Sequence, residues 1–324
     1  MNENKYNCVM LVGPTAVGKT SIGVALAKAL DAEIISADSR QTYRKLNIGS
    51  GKDLDEYTID GVQIPYHLID IVDLPEEYSV YMYQQDFYRV FKEITSRKKL
   101  PLVVGGTGMY VDAIVSNYEL VILPENKALH DELEATPLEV LADTLLKLQP
   151  DLHTKCDLLE KDRVIKALEI IEAKKAGTVS TSAERPEIKP FIIGTTLPRP
   201  LLWENISKRL RERLDEGMIE EVLSIHDDGI SWERLEKLGL EYRFCSWYLQ
   251  GKFSSKEELY EKLFVAIRQF AKRQETWYRS MEKKGVQIHW LPQNPDKKVR
   301  IEAALNLLKE IQLRPSVEWC EAAL

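Results

Sequence analysis

Gly13-Pro14-Thr15-Ala16-Val17-Gly18-Lys19-Thr20 is the stretch that decides the fold of this 324-residue chain. It follows the spacing G-x-x-x-x-G-K-[ST], in which loop N–H groups and a helix N-terminus surround a diphosphate. An apolar run from residue 8 to 12 precedes it, and a proline-free stretch from 18 to 30 follows it. The order of strand, glycine loop and helix predicts a phosphate-binding loop, in which Lys19 supplies positive charge and the Thr20 hydroxyl binds Mg²⁺. The motif leaves open whether the diphosphate belongs to ATP or to another substrate.

Two more short apolar runs end in polar, turn-forming residues. Residues 32–37 stop at Asp38, and residues 100–104 stop at Gly105-Gly106-Thr107-Gly108. Strands separated by helical stretches predict a parallel α/β sheet, in which ligands bind beyond the carboxyl ends of the strands. The phosphate-binding loop, Asp38 and Thr107 all occupy such ends, so we expect them in one site.

Helical patterns dominate the rest of the chain. Asp162 can cap a helix whose Val164, Leu168 and Ile171 share one face. The fold class predicted is therefore α/β, a P-loop-like parallel sheet with large helical insertions. The predicted parts are an α/β core over residues 1–122 with returning strands near 190–197 and 286–291, a helical segment over 123–186, a helical region over 199–285, and a C-terminal helical tail over 293–324.

Composition excludes several classes of protein. The net charge of −7 argues against a protein that coats nucleic acid indiscriminately, because such binding depends on cations that neutralise phosphates. No apolar run reaches the roughly 20 residues of a membrane span, and the N-terminus has no signal-peptide pattern, so we expect a cytoplasmic protein without membrane contact. The four cysteines lack the spacing of a zinc site or a disulfide framework, and we expect them to be reduced thiols, mostly buried.

Asp38 has three possible roles. It could be a general base for an acceptor group near the phosphates, a carboxylate that holds Mg²⁺, or a helix N-cap without chemical function. Thr107 follows two glycines that let the backbone approach a ligand closely, and its hydroxyl can donate to an oxyanion. A G-G-T turn alone is weak evidence for a site. Its combination with Lys19 and Asp38 favours a catalytic role for all three residues.

A basic, aromatic helix is predicted over residues 266–285. This segment carries six basic residues but only two acidic ones, in an acidic protein. A helical projection places Phe270, Trp277 and Met281 on one stripe that we expect to be core, with Gln274 among them. Gln274 suits either a structural hydrogen bond or the recognition of a base edge. The charges form either a solvated face or a surface for a polyanion.

Five blocks of sequence resemble the tRNA dimethylallyltransferases, also called tRNA isopentenyltransferases. The blocks are GPTAVGKT (13–20), ADSRQTYRKLNIGSGK (37–52), VVGGTGMYVDAI (103–114), DRVIKALEI (162–170) and AKRQETWYR (271–279). The first block is common to many unrelated NTPases, whereas the DSRQ-x-Y, GGTG-x-Y and KRQ-x-TW blocks together are far more specific. Residues after about 292 contribute nothing to the resemblance.

The resemblance implies transfer of a dimethylallyl group from dimethylallyl diphosphate to N6 of adenosine 37, next to the anticodon of tRNAs that read codons beginning with U. It implies that the loop holds a diphosphate leaving group, with Mg²⁺ as cofactor and region 199–285 binding the anticodon stem-loop. The residues implied to bind tRNA are Asp38, Ser39, Arg40, Gln41, Thr107, Asp162, Arg163, Lys166, Tyr242, Arg243, Lys272, Arg273, Gln274, Thr276, Trp277 and Arg279.

The chain departs from the family pattern at Glu241 and Phe244, which flank Tyr242-Arg243, and it lacks the zinc finger of eukaryotic members, as in the shorter bacterial form. The main alternative is a P-loop small-molecule kinase similar to shikimate kinase, although such kinases are roughly half this length and need no cationic helix far downstream. A third possibility is an ATP-driven tRNA-binding switch, which would not need Asp38 as a base. We expect a monomer.

Overall fold

The computed structural model describes residues 5–120, 126–150, 158–177 and 185–311. The chain forms two compact units, one made of Met1–Tyr118 and Pro186–Leu324 and the other of Glu119–Arg185. Two of the four cysteines, Cys156 and Cys320, and the predicted tail beyond residue 311 lie outside the described residues. Among the helices that are described, none has the length and apolar character needed to cross a bilayer.

The larger unit is built around strands and the smaller one around helices. In the described residues, the strands are β1 (Cys8–Val12), β2 (Ala32–Ala37), β3 (Thr58–Ile59), β4 (Val62–Gln63), β5 (Tyr66–His67), β6 (Leu100–Gly105), β7 (Pro190–Gly194) and β8 (Ile288–Trp290). The helices are α1 (Lys19–Leu30), α2 (Val80–Ser96), α3 (Gly108–Val115), α4 (Lys127–Ala135), α5 (Leu138–Leu148), α6 (Lys161–Lys175), α7 (Arg199–Asp215), α8 (Met218–Asp227), α9 (Trp232–Lys237), α10 (Leu240–Leu249), α11 (Lys256–Lys283) and α12 (Lys297–Glu310). A short 3₁₀ helix spans Leu54–Tyr57.

The main sheet has six parallel strands in the order β5-β2-β6-β1-β7-β8. β1 lies between β6 and β7, with Val9 opposite Leu102 on one side and Phe191 on the other. Both faces of this sheet are covered, which explains why the strands read as continuous apolar runs rather than as alternating patterns. The predicted fold class, a P-loop-like α/β sheet with helical insertions, is confirmed.

The two faces of the sheet use alternate residues of each strand. Val9 and Leu11 pack in a cluster with residues of α1 and with Ala304 of α12. Met10 and Val12 point to the other face, where the cluster includes residues of α2, α3 and the end of α11. This period of two is what a strand requires when both sides are buried. The sheet therefore holds the phosphate-binding loop, which follows β1, on a fully packed base.

A third cluster joins the helices α7 to α11 to the turns at the carboxyl ends of the strands. Leu210, Leu235 and Leu263 belong to it, and so do Val17 of the phosphate-binding loop and Leu46 of the segment after β2. Helical residues thus pack directly behind the loops that carry the predicted site. This packing is why a long helical region can position side chains for chemistry at the sheet edge.

The smaller unit has its own small core. Leu141 and Leu145 of α5 pack against Val164, Ile165 and Leu168 of α6. The predicted N-cap at Asp162 is wrong, because the helix begins at Lys161 and its cap position is Glu160. Asp162 instead lies in the first turn, where a negative charge interacts favourably with the helix dipole.

The buried face of α11 differs from the predicted one. Its buried residues include Ile267, Ala271, Gln274, Tyr278 and Met281, whereas Phe270 is 38% exposed. The prediction that Phe270 belongs to the core is therefore wrong. The stripe runs through residues spaced three and four apart, and Phe270 lies at its edge, near the Arg273 guanidinium.

The observed buried face of α11 predicts that two alanine substitutions on this helix lower the free energy of unfolding by different amounts. Met281→Ala removes a side chain with no solvent exposure and should lower the free energy of unfolding by about 2–5 kcal/mol. Phe270→Ala should lower it by less than about 1 kcal/mol, because much of that ring is already in water. Urea denaturation of both variants measures the difference, and equal losses would show that the face is assigned incorrectly.

Candidate active site

The phosphate-binding loop connects β1 to α1, as the sequence predicts. Gly18 is the N-cap residue of α1 and has a φ of 81°, which glycine adopts without strain. The Lys19 ammonium donates a hydrogen bond of 2.7 Å to the carbonyl oxygen of Pro14, within the loop itself. Its pKa falls to about 8 because burial disfavours the charge, and the carboxylate of Asp38 partly opposes that shift. The charges of Lys19 and Asp38 therefore act on each other.

Gln274 of α11 binds the loop and the G-G-T turn together. Its side-chain oxygen accepts a 2.9 Å hydrogen bond from the Thr15 N–H, and its nitrogen donates a 2.7 Å bond to the Gly106 carbonyl. A side chain at Gly106 would come within 2.6 Å of the Gln274 nitrogen and 3.3 Å of the Lys19 ammonium. The turn and the loop are thus in direct contact. Of the two roles predicted for Gln274, this geometry favours the structural one.

Thr107 joins the G-G-T turn to the turn that carries Asp38. The Thr107 hydroxyl accepts a 3.0 Å hydrogen bond from the Ser39 N–H, and the Thr107 N–H donates to the Ala37 carbonyl at 3.1 Å. Asp38 accepts a 2.9 Å hydrogen bond from the Arg40 N–H. One carboxylate oxygen is thereby fixed, which orients the other. The structure brings together Lys19, Asp38 and Thr107, the three residues predicted to be catalytic.

Two arginines of α7, Arg209 and Arg213, were missed at the sequence level. The Arg209 guanidinium donates to the Thr15 hydroxyl. Burial lowers the pKa of Arg209, and the positive charge of Arg213 lowers it further. Neither arginine forms an ion pair with a carboxylate in the described part of the chain. The sequence signal for them is their spacing: Arg209 and Arg213 are four residues apart, beside the apolar positions Ile206 and Leu210. Arginines on the apolar side of a helix indicate a buried site, because buried guanidinium groups require a partner.

Cations that form no direct ion pair with a carboxylate of the described chain make this edge of the sheet suited to an anion. Lys19 belongs to the loop and Arg209 contacts it. Burial costs both charged groups solvation free energy, and a bound diphosphate would offset that cost. Arg213 is 6% exposed, and one nitrogen of its guanidinium has no hydrogen-bond partner. The electrostatics of the pocket therefore favour a ligand of high negative charge.

Other residues of the DSRQ turn support the turn itself. Gln41 donates to the Gly51 carbonyl at 3.1 Å and accepts from the Ser36 hydroxyl at 3.3 Å. The Arg40 side chain packs on Gly239, directly before α10. Both side chains lie in the segment predicted to bind tRNA, half-buried rather than fully exposed.

The side chain of Tyr242, predicted to contact tRNA, is buried in this structure. It is 1% exposed, and its hydroxyl donates a 2.9 Å hydrogen bond to Glu221. The Glu221 carboxylate also accepts from the N–H groups of Asn47, Ile48 and Gly49. Tyr242 and Glu221 thus hold the segment that follows Asp38, and a tRNA contact at Tyr242 stays a prediction. Arg243 is half-buried, and its Nε donates to the Glu236 carbonyl at 2.8 Å.

The basic side chains of α11 lie on its exposed face. Lys272, Arg273, Thr276 and Arg279 are exposed, and the Lys272 ammonium lies 5.8 Å from the centroid of the Trp203 ring. Trp277 is half-buried, and its indole packs directly against Gly108, next to Thr107. α11 therefore supplies both the inner wall of the site, through Gln274 and Trp277, and a cationic outer surface. Asp162, Arg163 and Lys166 are exposed on α6 in the smaller unit.

Thr20 follows Lys19 at the start of α1 and is half-buried. Its hydroxyl forms no hydrogen bond with the rest of the described chain, so its lone pairs are available to a hard cation. No group of three or more histidine, cysteine or acidic side chains in the described residues could hold a metal ion on its own. The residues present therefore fit a Mg²⁺ ion bound through one hydroxyl, with phosphate oxygens and water as the other ligands.

Comparison with protein-family models matches residues 41–281 to the IPP transferase family and residues 6–70 to the isopentenyl transferase family. The chain belongs to the IPP transferase family. It is 50% identical over 285 residues to tRNA dimethylallyltransferase 1 of Syntrophus aciditrophicus, covering 88% of this chain and 93% of that protein. It is also 50% identical over 292 residues to tRNA dimethylallyltransferase 2 of Treponema denticola, covering 89% and 97%. The predicted family resemblance is confirmed.

Solved structures of IPP transferases agree with this membership. The tRNA isopentenylpyrophosphate transferase of Bacillus halodurans has 34% identity and a TM-score of 0.69, covering 94% of this chain and 96% of that one. A eukaryotic dimethylallyltransferase acting on tRNA shares the fold at 23% identity, with a TM-score of 0.75 and coverage of 97% and 82%. Family membership does not favour the kinase alternative.

The pKa of Lys19 predicts how anion binding depends on pH. With a pKa of about 8 in the free protein, Lys19 loses its charge as the pH rises, while a bound diphosphate would keep it protonated. Pyrophosphate affinity should therefore fall by about tenfold between pH 7 and pH 9, relative to a Lys19→Met variant. In that variant, the affinity changes with pH only because pyrophosphate itself titrates. Calorimetric titrations at several pH values measure this ratio, and parallel curves would contradict a titrating Lys19 at the anion site.

Proposed function

We propose that this IPP transferase moves a dimethylallyl group from dimethylallyl diphosphate to N6 of adenosine 37 in tRNAs that read codons beginning with U. Family membership supports a prenyl transfer to tRNA. The observation that carries the proposal is that Gln274 joins the phosphate-binding loop to the G-G-T turn, and Thr107 joins that turn to the turn of Asp38. Lys19 can therefore bind the leaving diphosphate while the neighbouring Asp38 accepts a proton from the acceptor amine.

The donor diphosphate would occupy the loop from Gly13 to Thr20. Loop N–H groups, the N-terminus of α1 and the ammonium of Lys19 would bind its oxygens. Arg209, already hydrogen-bonded to Thr15 on the loop, would add a second cation. Breaking an allylic C–O bond places negative charge on the diphosphate, and preorganised donors stabilise that charge as it forms. The loop thus serves a leaving group rather than a transferred phosphoryl group.

Thr20 would hold Mg²⁺ together with oxygens of the diphosphate. When bound, this ion adds positive charge to the leaving group, which makes the diphosphate easier to expel. The position of the hydroxyl directly after Lys19 at the helix start supports this role. The rest of the chemistry depends on side chains of the protein.

Asp38 would act as the general base. In the transfer, the C–O bond of the donor breaks, a C–N bond to the adenine N6 forms, and one N6 proton moves to the Asp38 carboxylate. The neutral amine is a poor nucleophile that becomes acidic as it attacks, so a nearby carboxylate is needed late in the step. The hydrogen bond from the Arg40 N–H holds one carboxylate oxygen in place. Thr107 would lie near the reacting groups.

Binding of the anticodon stem-loop would use the cationic face of α11. Lys272, Arg273 and Arg279 are exposed there, where they can neutralise phosphates. The adenine must leave the stacked loop to reach Asp38, at a cost of a few kcal/mol that stacking and edge contacts offset. Trp277 lies beside Thr107 and presents the aromatic surface for this purpose. On α6, Asp162, Arg163 and Lys166 would contribute further contacts.

We also propose that the enzyme acts as a cytoplasmic monomer. One chain supplies the loop, Asp38, the G-G-T turn and the cationic helix, so the chemistry requires no second copy. A tRNA substrate, which bacteria keep in the cytoplasm, supports this compartment. Light scattering of the purified protein with and without tRNA measures its oligomeric state.

Incubation with labelled dimethylallyl diphosphate and unmodified tRNA tests the proposed reaction directly. The label should appear in tRNA at adenosine 37, with release of one diphosphate for each group transferred. ATP and shikimate serve as controls for the kinase alternative. Transfer of a terminal phosphoryl group from ATP, without incorporation of the prenyl label, would refute the proposal.

Removing the Asp38 carboxylate should separate catalysis from binding. Asp38→Ala should lower the transfer rate by about a hundredfold or more, the range expected for loss of a general base, while tRNA affinity changes by less than about tenfold. Asp38→Asn is the matched variant, because its amide oxygen still accepts from Arg40 and its nitrogen cannot take a proton. Single-turnover kinetics and filter binding measure the two effects.

The same variants distinguish a base from a magnesium ligand. If Asp38 is a base, the apparent affinity for Mg²⁺ stays within about twofold of the wild type, and added Mg²⁺ does not restore the rate. Restoration of the Asp38→Asn rate at high Mg²⁺ would assign the carboxylate to the metal instead. Wild-type rates in either variant would remove Asp38 from the chemistry.

The cationic face of α11 should make tRNA binding depend steeply on salt. Arg273→Ala and Arg279→Ala should each reduce the slope of log affinity against log salt by about one, because each removes one phosphate contact. Lys262→Ala is the control on the same helix, since Lys262 is exposed and paired with Glu258. A slope unchanged in both arginine variants would identify these charges as a solvated surface.

A further inference from the structure

The C-terminal helix α12 lies beyond both regions that match the family models, residues 6–70 and 41–281. It packs along α1, and its Ala304 and Leu308 belong to the cluster that contains Ile22 and Leu26 of α1. The first turn of α12 therefore lies beside the phosphate-binding loop, which leads into α1. Two basic side chains of this turn reach the loop.

Arg300 is buried beneath the loop. It is 1% exposed and is among the largest fully buried side chains of the described protein. One guanidinium nitrogen, Nη1, donates a 2.7 Å hydrogen bond to the Val17 carbonyl and a 3.1 Å bond to the Thr195 hydroxyl. No carboxylate in the described residues lies within ion-pair distance of it. Burial accordingly lowers the pKa of Arg300, although a guanidinium remains charged.

Thr195 connects Arg300 to the other end of the loop. It has no solvent exposure, and its N–H donates to the carbonyl of Val12 at 2.9 Å. A side chain at Gly13 would meet the Thr195 carbonyl oxygen at 2.1 Å, so the first residue of the loop rests directly on Thr195. Arg300 therefore contacts the loop through Val17 near its end and through Thr195 at its beginning.

Lys297 supports the same region one turn earlier on α12. Its ammonium donates a 2.9 Å hydrogen bond to the Ser21 hydroxyl of α1. Its side chain also lies 3.0 Å from where a Cβ at Gly18 would stand. The charge of Lys297 thus lies close to the N-terminus of α1, at the loop's last glycine.

The hydrogen bond from Arg300 has a geometric consequence for the loop. A trans peptide is planar, and its carbonyl and N–H point in opposite directions. When Arg300 holds the Val17 carbonyl on the buried side of the loop, the Gly18 N–H must face the opposite side, toward the anion position. A buried positive charge beneath the loop is also poorly screened and favours an anion on the opposite side of the loop.

We propose that Arg300 is a positioning residue for the donor diphosphate, holding the Val17–Gly18 peptide so that the loop N–H groups face the ligand. This inference rests on the proposed function, because that function identifies the ligand as the diphosphate of the prenyl donor. It assigns the C-terminal helix to donor binding. Residues beyond the two regions that match the family models would then be required for the first step of the reaction.

Calorimetric binding of inorganic pyrophosphate in the presence of Mg²⁺ tests this role on the full chain. Arg300→Met fills the space without hydrogen bonds and should weaken pyrophosphate binding by about tenfold or more. Arg300→Lys keeps the charge and one donor and should recover at least a third of the wild-type affinity. Lys298→Ala, an exposed lysine on the same turn, is the matched control and should bind like the wild type.

Steady-state kinetics separate positioning from general damage. Arg300→Met should raise the KM for the prenyl diphosphate donor by a similar factor, while the KM for tRNA changes by less than about twofold. Pyrophosphate affinity within twofold of the wild type would overturn the proposal, and so would equal losses for donor and tRNA. If Arg300→Met does not fold, Thr195→Val replaces it, with an expected threefold loss of pyrophosphate affinity, and unchanged affinity in that variant overturns the proposal.

Pyrophosphate binding also keeps this inference distinct from the proposed function. A wild-type protein that binds pyrophosphate in an Arg300-dependent manner but transfers no prenyl group would refute the function and leave the positioning role intact. A protein that transfers the prenyl group with the same donor KM in the wild type and in Arg300→Met would refute the positioning role alone.

Discussion

The side-chain amide of Gln274 is the interaction on which the arrangement of the site depends. Through it, a residue of α11 binds the backbone of two turns that are far apart in sequence, the phosphate-binding loop and the G-G-T turn. Each such hydrogen bond contributes about 1 kcal/mol to stability, but an unpaired buried amide would cost more. Thr107 extends the connection to the turn of Asp38. One side chain of a helix distant in sequence therefore fixes the phosphate-binding loop relative to the turns that carry Thr107 and Asp38.

The site combines this rigid frame with unpaired positive charge. Lys19 and Arg209 lie against the loop, and Arg300 lies beneath it, without ion pairs to carboxylates of the described chain. Burying cations in this way costs solvation free energy, which an anionic ligand offsets. These buried positive charges support the proposed binding of a diphosphate. Asp38, Asp53 and Glu241 are acidic residues near these cations, and Asp38 opposes the loss of charge at Lys19.

The fold and the centre of the site were predictable because their signals are local. The strands at 8–12 and 32–37 are short apolar runs with clear ends, and the loop spacing identifies Lys19 by sequence alone. Contacts that depend on tertiary packing were not predictable. Tyr242 carries a motif typical of a surface contact, yet its ring is buried and its hydroxyl binds Glu221. Phe270 lies at the edge of the buried stripe of α11, where a helical projection does not separate buried from exposed side chains. Arg300 lies in a segment without any motif, and only the packing of α12 on α1 shows its role.

The most direct test of this account is a crystal structure of the protein with pyrophosphate, Mg²⁺ and an unmodified anticodon stem-loop. The account predicts pyrophosphate on the loop N–H groups and Lys19, with N6 of an unstacked adenine within hydrogen-bond distance of the Asp38 carboxylate. An adenine bound elsewhere, with Asp38 directed away from any acceptor amine, would contradict it.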